Sequence, residues 1–287
     1  KDGDILNIGK TIDDFNAFDT GIFLCTPAIF EALECACEIH NDTTLSAAIR
    51  VLAEKDKAKS LQTQEFWIDI DDEKAHQKAE KSMLESMRGK GNDGPVSQWL
   101  NRPISIRISK YLVNFDITPN QISFVSFLLS VLAAGLFALD HYWLLALGGV
   151  IAQFASIIDG SDGEVARLKY LSSDYGGWFD AVLDRYADAF LLFGLTWYVY
   201  SQDLSQWALV IGFIAIIGSF MLSYTADKYD NLMKSRIKKG IRMGRDVRVF
   251  MIFLGAIFNQ AYLVLIVIAV LMNYETIRRM VICRNDE

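Results

Sequence analysis

The sequence contains few cysteines and histidines, and neither residue type follows a metal-binding or disulfide pattern. The four cysteines, Cys25, Cys35, Cys37 and Cys283, show no repeated Cys-x2-Cys spacing, and the three histidines are scattered without ligand spacing. These absences give no support to a zinc site or to a secreted disulfide framework. We therefore expect buried free thiols in a reducing compartment and assign no chemistry to the histidines.

The chain also lacks an excess of basic residues. It has 28 Lys and Arg against 35 Asp and Glu, a formal net charge of −7, which does not suggest nucleic-acid binding. Residues 1–90 hold most of the Asp, Glu and Lys, whereas residues 121–275 are largely apolar. We therefore expect a soluble acidic part followed by a membrane part. Because the chain begins at Lys1 with no signal peptide, residues 1–90 read as the end of something longer.

The apolar part contains six candidate membrane segments, and about 20 helical residues are needed to cross a bilayer. They lie at residues 121–139, 143–167, 176–200, 206–226, 246–258 and 261–282. Three connectors lack Lys and Arg, at residues 140–141, 201–206 and 259–260, whereas the alternate connectors are basic. The positive-inside rule then places residues 1–90, the basic connectors and the C-terminus in the cytoplasm. The sequence predicts an α-helical, multi-pass cell-membrane protein with six transmembrane helices, in contact with the lipid bilayer.

Residues 91–120 join the acidic part to the membrane domain at 121–287. The stretch Gly-Asn-Asp-Gly-Pro is a flexible break, and the residues after it predict an amphipathic helix lying on the cytosolic leaflet. Its apolar face is formed by Trp99, Leu100, Ile104, Ile108, Leu112 and Val113. Thr118-Pro119-Asn120 then opens the first membrane segment.

The most informative stretch is residues 159–184, DGSDGEVARLKYLSSDYGGWFDAVLD. Asp159 and Asp162 are three residues apart, and Asp180 and Asp184 are four apart, so each pair shares one helical face. Ionised carboxylates near hydrocarbon are costly unless they are paired or hydrated, which makes them functional candidates. Four of them would repel one another, so we expect a cation, and an all-oxygen donor set points to Mg²⁺ or Mn²⁺.

Eight positions of this stretch form the pattern D-x2-D-G-x2-A-R-x8-G-x3-D-x3-D. They are Asp159, Asp162, Gly163, Ala166, Arg167, Gly176, Asp180 and Asp184. The pattern resembles the signature of the CDP-alcohol phosphatidyltransferase family at all eight positions. The resemblance implies a six-helix membrane fold with a metal site near the cytosolic face. It also implies that a substrate hydroxyl attacks the β-phosphate of a CDP-alcohol, that CMP leaves and that a phosphodiester forms.

The resemblance also implies roles for these residues. The metal ligands, for two ions, are Asp159, Asp162, Asp180 and Asp184, and Asp184 is in addition the general base. The CDP-binding residues are Asp159, Asp162, Gly163, Ala166, Arg167, Gly176 and Asp180. A transporter or proton relay using intramembrane carboxylates is a further hypothesis, but the Gly and Arg positions of the signature argue against it.

Residues near the signature have simpler expected roles. We expect Glu164 to face solvent or to pair with Arg167, and Asp188 to be a hydrated structural group. Gly244-Arg245-x2-Arg248, at the start of the fifth segment, resembles a stretch beside the acceptor pocket of the family. Arg245 and Arg248 are therefore candidate ligands for an acceptor phosphate, in competition with a simple role in membrane topology.

Residues 1–90 resemble the C-terminal part of sugar-nucleotidyltransferase domains. The matching pieces are Gly9-Lys10, Asp19-Thr20-Gly21-Ile22-Phe23 and Trp67-Ile68-Asp69-Ile70-Asp71. The resemblance implies a partial α/β domain in the cytoplasm, and alternating residues predict strands within 5–30 and 65–71. It makes Lys10, Asp69 and Asp71 candidate ligands, with a plain structural role as the alternative. The glycine-rich nucleotide loop of that family is absent, so a second activity is expected only with a missing N-terminal half.

The combination of these two families implies that one domain makes an activated donor and the other uses it. We expect CDP-inositol as the donor and inositol 1-phosphate as the phosphorylated polar acceptor. The alternative is a phospholipid synthase that uses CDP-diacylglycerol and a polar alcohol. A homodimer is a candidate assembly.

Overall fold

The computed structural model describes residues 3–9, 12–63, 67–86, 94–233 and 244–284. The chain divides into two compact units, Lys1–Ser82 and Met83–Glu287. Each unit has its own arrangement of helices, and the candidate functional residues of the signature all lie in the second unit.

The first unit is built around two short helices. Helix α1 spans Ala28–His40 and helix α2 spans Leu45–Glu54, and small residues such as Ala32, Ala36 and Ala48 are buried where they meet. Helix α2 begins at Thr44, whose hydroxyl accepts the backbone N–H of Ala47 and so satisfies a free donor of the first turn. Helix α3 follows at Glu73–Ser86.

The strands predicted for the first unit are wrong in the part that the structure describes. That part contains only an isolated antiparallel bridge between Asp4 and Lys59. Alternating apolar residues form a strand when a neighbouring strand accepts the backbone hydrogen bonds and one face is buried. In the described part, Ile22 and Leu24 are exposed, and although Phe23 packs against a small core at the end of α2, the single bridge supplies no continuous strand partner.

The expectation of buried thiols also needs correction. All four cysteines are free, but Cys25 and Cys37 are exposed and the other two are partly exposed. Cys35 packs at the edge of the small α1–α2 core, and Cys283 lies on α10 in the second unit.

In the second unit, all the regular secondary structure of the described residues is helical. A π-helical turn, Ser97–Asn101, leads into α4 (Arg102–Leu112). Long helices follow, which are α5 (Pro119–Phe137), α6 (Tyr142–Leu168), α7 (Asp174–Asp203), α8 (Gln206–Met233), α9 (Arg245–Ile257) and α10 (Ala261–Arg284). Helix α5 packs against both α6 and α7, α9 packs against α6, and α10 packs against α8.

Small residues permit close approach inside this bundle. A Cβ atom at Gly194 of α7 would lie 2.5 Å from the carbonyl oxygen of Ala134 in α5, a distance that real side chains do not adopt. Only glycine therefore fits where these two backbones meet. Buried apolar side chains around this contact, including Phe137, Leu145 and Leu195, complete the core.

Four helices of the described residues are long and apolar enough to cross a membrane. They are Pro119–Phe137, Tyr142–Leu168, Gln206–Ala226 and Ala261–Arg284. Two further helices coincide with predicted segments but do not meet these criteria, because α7 carries several charged residues and α9 has 13 residues. The chain is thus an α-helical membrane protein with four helices that could span a bilayer.

Helix α4 lies where the amphipathic helix is predicted, but a different face packs against the bundle. Its buried residues are Ser105, Ile106 and Ser109, which contact α6, while Trp99 of the preceding turn is 90% exposed. The helical periodicity predicts burial of the apolar side of α4. The buried side is instead largely polar, because α6 supplies hydrogen-bond partners for Ser105 and Ser109.

Candidate active site

The four signature aspartates lie on α6 and α7 and are brought together through α5. Helix α5 packs against both of the other helices, so the two carboxylate pairs face each other beside it. Carboxylate oxygens of Asp159, Asp180 and Asp184 lie within 4.8 Å of one another. The Asp162 and Asp180 carboxyl groups also face each other. All four predicted metal ligands therefore belong to one acidic cluster.

Helix α5 supplies two hydroxyl groups to this acidic cluster. The Ser126 hydroxyl donates to Asp159 Oδ1 at 2.9 Å, and the Ser123 hydroxyl donates to Asp162 Oδ2 at 2.5 Å. The backbone N–H of Gly163 also donates to Asp162. Sequence reasoning missed these two serines, although their spacing of three residues on an apolar helix is a signal for a shared polar face. Such hydrogen bonds orient carboxylates that serve as metal ligands.

The donor set of the acidic cluster fits a hard divalent cation. It consists of carboxylate oxygens, which Mg²⁺ and Mn²⁺ prefer. Asp180 Oδ1 is buried and has no hydrogen-bond partner among the described residues, so it retains an unused electron pair. Asp159, Asp162, Asp180 and Asp184 are thus the residues that could hold such an ion.

Arg245, at the first position of α9, reaches into the acidic cluster. Its Nη1 lies 2.6 Å from Asp159 Oδ2 and 2.6 Å from Asp184 Oδ1, and its side chain is 11% exposed. A guanidinium group has five donors in a fixed planar fork, so it can contact two carboxylates at once. Arg245 therefore provides positive charge directly beside the predicted metal ligands.

Arg248 lies one turn further along α9 and is placed differently from the prediction. It is 2% exposed, and its Nη2 lies 2.5 Å from Asp188 Oδ2 and 3.2 Å from the Ser223 hydroxyl. Asp188 also accepts the Ser219 hydroxyl at 3.3 Å, and it is buried instead of hydrated. Since the guanidinium of Arg248 is enclosed by α7, α8 and α10, its contacts are those of a structural ion pair.

Glu164 neither faces solvent nor pairs with Arg167, and its expected role is wrong. Its side chain is fully buried on the far side of α6 and accepts hydrogen bonds from Arg102, Ser105 and Ser109 of α4. The reason is that α4 covers this face of α6, so the carboxylate is removed from solvent but fully hydrogen-bonded.

The other signature positions surround the two carboxylate pairs. Arg167 lies one turn beyond Gly163, and a Cβ at Gly163 would be 3.4 Å from its Nη1. Gly176, in the first turn of α7, donates its N–H to the Ser173 hydroxyl, and a Cβ there would be 3.4 Å from Asn120 Oδ1. Ala166 is partly buried one turn beyond Asp162. Gly163, Ala166 and Gly176 thus place no large side chain at the facing ends of α6 and α7.

The remaining candidates belong to the first unit. Lys10 lies outside the described residues. Asp69 and Asp71 are exposed residues in the segment before α3. The described residues of the first unit provide no group of three potential ligands around them.

Known proteins are similar to this chain in sequence. The CDP-alcohol phosphatidyltransferase family model matches residues 116–276, which include the whole acidic cluster. A bifunctional IPC transferase and DIPP synthase of Aquifex aeolicus is 35% identical over 96% of this chain, which spans 64% of that relative. An archaetidylinositol phosphate synthase of Pyrococcus horikoshii is 32% identical over 60% of this chain and 87% of its own length.

A solved structure shares the fold. The phosphatidylinositol phosphate synthase of Mycobacterium tuberculosis, crystallised with CDP-DAG, superposes with a TM-score of 0.53 over 62% of this chain and 92% of its own, at 21% identity. The same enzyme has been crystallised with manganese and citrate. The shared fold and the long apolar helices define an α-helical membrane protein. The chain belongs to the CDP-alcohol phosphatidyltransferase family, an enzyme family of phosphotransferases, as the signature predicts.

Proposed function

We propose that this chain transfers a phosphoalcohol group from a CDP-alcohol to the hydroxyl of an acceptor alcohol, with release of CMP. The observation that carries the proposal is the convergence of Asp159, Asp180 and Asp184, with oxygens within 4.8 Å of one another, in a membrane-embedded bundle. In this reaction the acceptor oxygen forms a bond to the β-phosphorus. The bond from that phosphorus to the oxygen bridging to CMP breaks, and CMP takes the electron pair.

The four aspartates have distinct proposed tasks. Asp159, Asp162, Asp180 and Asp184 hold two divalent cations, Mg²⁺ or Mn²⁺. Cations held there would supply the positive charge that the pyrophosphate of the donor requires. Asp184 takes the proton of the acceptor hydroxyl. Because a carboxylate near a cation is a weak base, fixed positioning of the acceptor carries much of the rate.

The remaining signature residues bind the nucleotide part of the donor in this proposal. Gly163, Ala166 and Gly176 leave room for close approach of CDP. Arg167 lies beside Gly163 on α6 and supplies positive charge for a phosphate of the donor. A side chain at Gly176 would lie close to Ser173 and Asn120, which supports a need for glycine at the start of α7.

We propose Arg245, and not Arg248, as the ligand of an acceptor phosphate. Arg245 already lies in the acidic cluster, so a phosphate held by it would be beside the reacting groups. Arg248 is enclosed with Asp188 and would have to leave a buried ion pair to reach a substrate. Its role in the proposal is to hold Asp188 and the start of α9 in place.

For the substrates we propose CDP-inositol as donor and inositol 1-phosphate as acceptor. The support is the similarity to the bifunctional IPC transferase and DIPP synthase of Aquifex aeolicus over nearly the whole chain.

The proposed domain organisation follows the same similarity. Residues 1–90 are the C-terminal part of a nucleotidyltransferase domain, with Lys10, Asp69 and Asp71 at its site. A linker and interfacial helix follow at 91–120, and the transferase domain at 121–287.

A lipid donor is the second candidate, and an apolar cavity favours it. The cavity, about 720 Å³, lies between the π-helical turn, α6 and α9. Its lining includes Trp99, Phe154, Ile157 and Phe253. A hydrocarbon chain would fit such a lining, as would be needed for CDP-diacylglycerol.

We propose that α5 to α10 all cross the membrane, with the acidic cluster and the N-terminal part on the cytoplasmic side. The basic connectors support this orientation. Helices α7 and α9 would complete six spans, since Asp184 and Asp188 of α7 are paired with arginines of α9. A homodimer remains a candidate assembly in this proposal.

Measuring CMP release from purified protein with Mn²⁺ or Mg²⁺ tests the proposal and separates the donors. CDP-inositol with inositol 1-phosphate should give CMP and a phosphodiester, and omission of the cation should stop the reaction. Turnover of CDP-diacylglycerol with a polar alcohol, but not of CDP-inositol, would favour the lipid alternative. Release of CMP from neither donor, in protein that binds the cation and is folded, would reject both assignments.

A further inference from the structure

Helix α4 is attached to α6 by a buried set of polar contacts. Glu164 Oε1 accepts from Arg102 Nη1 at 2.7 Å and from the Ser105 hydroxyl at 2.7 Å. Its Oε2 accepts from the Ser109 hydroxyl at 2.6 Å. Glu164 is fully buried, and Ser105 and Ser109 are also buried. A charged group in this position is stable only because three donors surround it.

The same two helices exchange contacts with the backbone between the first two signature aspartates. The Ser161 hydroxyl donates to the carbonyl oxygen of Ser105 at 3.3 Å, and the Ser109 hydroxyl donates to the carbonyl oxygen of Ser161 at 3.5 Å. Arg102 Nη1 also lies 3.4 Å from the carbonyl oxygen of Gly160. Gly160 and Ser161 are the two residues immediately after Asp159. These contacts therefore act on the segment of α6 that carries Asp159 and Asp162.

The geometry of a helix relates these contacts to the acidic cluster. Successive residues are rotated by about 100°, so Asp159 and Asp162 share a face whereas Glu164 is rotated by about 200° from Asp162. Helix α4 thus contacts the face of α6 that lies opposite Asp159 and Asp162, at the same height along the helix axis. A rotation of α6 about its axis would swing Asp159 and Asp162 away from α7, but it would also separate Glu164 from its donors.

We propose that Glu164, with Arg102, Ser105 and Ser109, forms a clamp that sets the rotation of α6 and thereby positions Asp159 and Asp162 for cation binding. These four residues are positioning residues, since none of them reaches the acidic cluster. The clamp rests on the proposed function in one respect, namely that the acidic cluster holds a divalent cation. A buried ion pair suits this task because it tolerates one arrangement and penalises others, even where it adds little net stability.

The test is the affinity of folded, detergent-solubilised protein for Mn²⁺, measured without nucleotide from the electron paramagnetic resonance signal of free Mn²⁺. Glu164→Gln keeps the size of the side chain but removes its charge. It should weaken Mn²⁺ binding by about 10-fold, within the range seen for groups that orient metal ligands. Ser105→Ala and Ser109→Ala, which each remove one donor, should weaken binding less. The double variant Arg102→Gln with Glu164→Gln should recover part of the affinity, because a pair of amides replaces the contact between a cation and a neutral amide.

Ile106→Val is the matched control. Ile106 is a buried residue of α4 between the two clamp serines, and shortening it reduces packing without touching the polar contacts. It should lower the melting temperature in EDTA and leave the Mn²⁺ affinity unchanged. If Glu164→Gln lowers the melting temperature but binds Mn²⁺ as the wild type does, the clamp only joins two helices and the proposal is wrong.

The outcomes separate this inference from the proposed function. Wild-type protein that fails to bind Mn²⁺ would overturn the proposed cation site and the clamp together. Wild-type binding that is lost in Asp180→Ala but unaffected in all clamp variants would overturn the clamp alone. Should Glu164→Gln not yield folded protein, Ser105→Ala and Ser109→Ala decide the question, and unchanged affinity in both rejects the clamp.

Discussion

The second unit contains two kinds of buried carboxylate, and their partners differ. Glu164 receives three donors, and Asp188 receives Arg248 and Ser219, so both are satisfied by the protein itself. The acidic cluster of α6 and α7 has fewer donors than its oxygens can accept, and Asp180 Oδ1 has none among the described residues. Burial alone therefore does not mark a functional carboxylate. What distinguishes the acidic cluster is that like charges converge there with unused electron pairs.

The comparison is tested most severely by removing one carboxylate of the acidic cluster. Asp159→Ala, Asp162→Ala or Asp180→Ala should lower CMP release by more than about 100-fold, because outer-shell partners alone cost up to that amount. The protein should remain folded in EDTA, since one fewer carboxylate also reduces mutual repulsion. Asp203→Ala, an exposed change on the same helix as Asp180, is the control. Near wild-type transfer in any of the three at saturating Mg²⁺ would remove that residue from the metal site.

A second substitution separates binding from chemistry within the acidic cluster. Asp184→Asn keeps the size and one acceptor oxygen but removes the base, so donor binding should persist while turnover falls by about 100-fold or more. Equilibrium binding of the CDP-alcohol with cation, together with CMP release, measures the two effects. Loss of donor binding would instead make Asp184 chiefly a metal ligand.

The two arginines of α9 should respond differently, because one contacts the acidic cluster and the other a satisfied carboxylate. Arg245→Ala should raise the KM of a phosphorylated acceptor by about 10-fold, more than that of the donor, and Arg245→Lys should restore it only partly. Arg248→Met leaves Asp188 buried without its main partner and should lower stability by about 3 kcal/mol or more. Acceptor kinetics and thermal unfolding in detergent measure these effects. An unchanged acceptor KM in Arg245→Ala would move the search to Arg167 and Lys169.

The smallest expected effect concerns the hydroxyl groups of α5. Ser123→Ala and Ser126→Ala each remove one hydrogen bond to a signature aspartate and should weaken Mn²⁺ binding by about 10-fold. Ser130→Ala is the control, because its hydroxyl donates to the carbonyl oxygen of Ser126 in the same helix. Equal Mn²⁺ affinities in all three variants would show that α5 supports the helices without orienting the carboxylates.

Much of the fold followed from patterns along the chain. Each of the six predicted apolar segments coincides with one helix from α5 to α10, because long apolar runs with polar connectors leave few alternatives. The strands of the first unit did not follow, since strand formation depends on a neighbouring chain segment that local alternation does not specify. Leu24, an apolar residue of the alternating pattern that is exposed, shows that the alternation alone does not produce a buried strand.

The sequence by itself determined which carboxylates share a helical face, since spacings of three and four residues place them there whatever surrounds the helix. It also determined the family, through the eight signature positions. Only the tertiary structure decided how each helix is turned toward its neighbours. That rotation brings Ser123 and Ser126 to the acidic cluster, encloses Glu164 under α4, and places Arg245 among carboxylates while Arg248 lies a turn deeper. Helical periodicity relates residues within one helix, whereas the orientation between helices is set by the packing of all of them together.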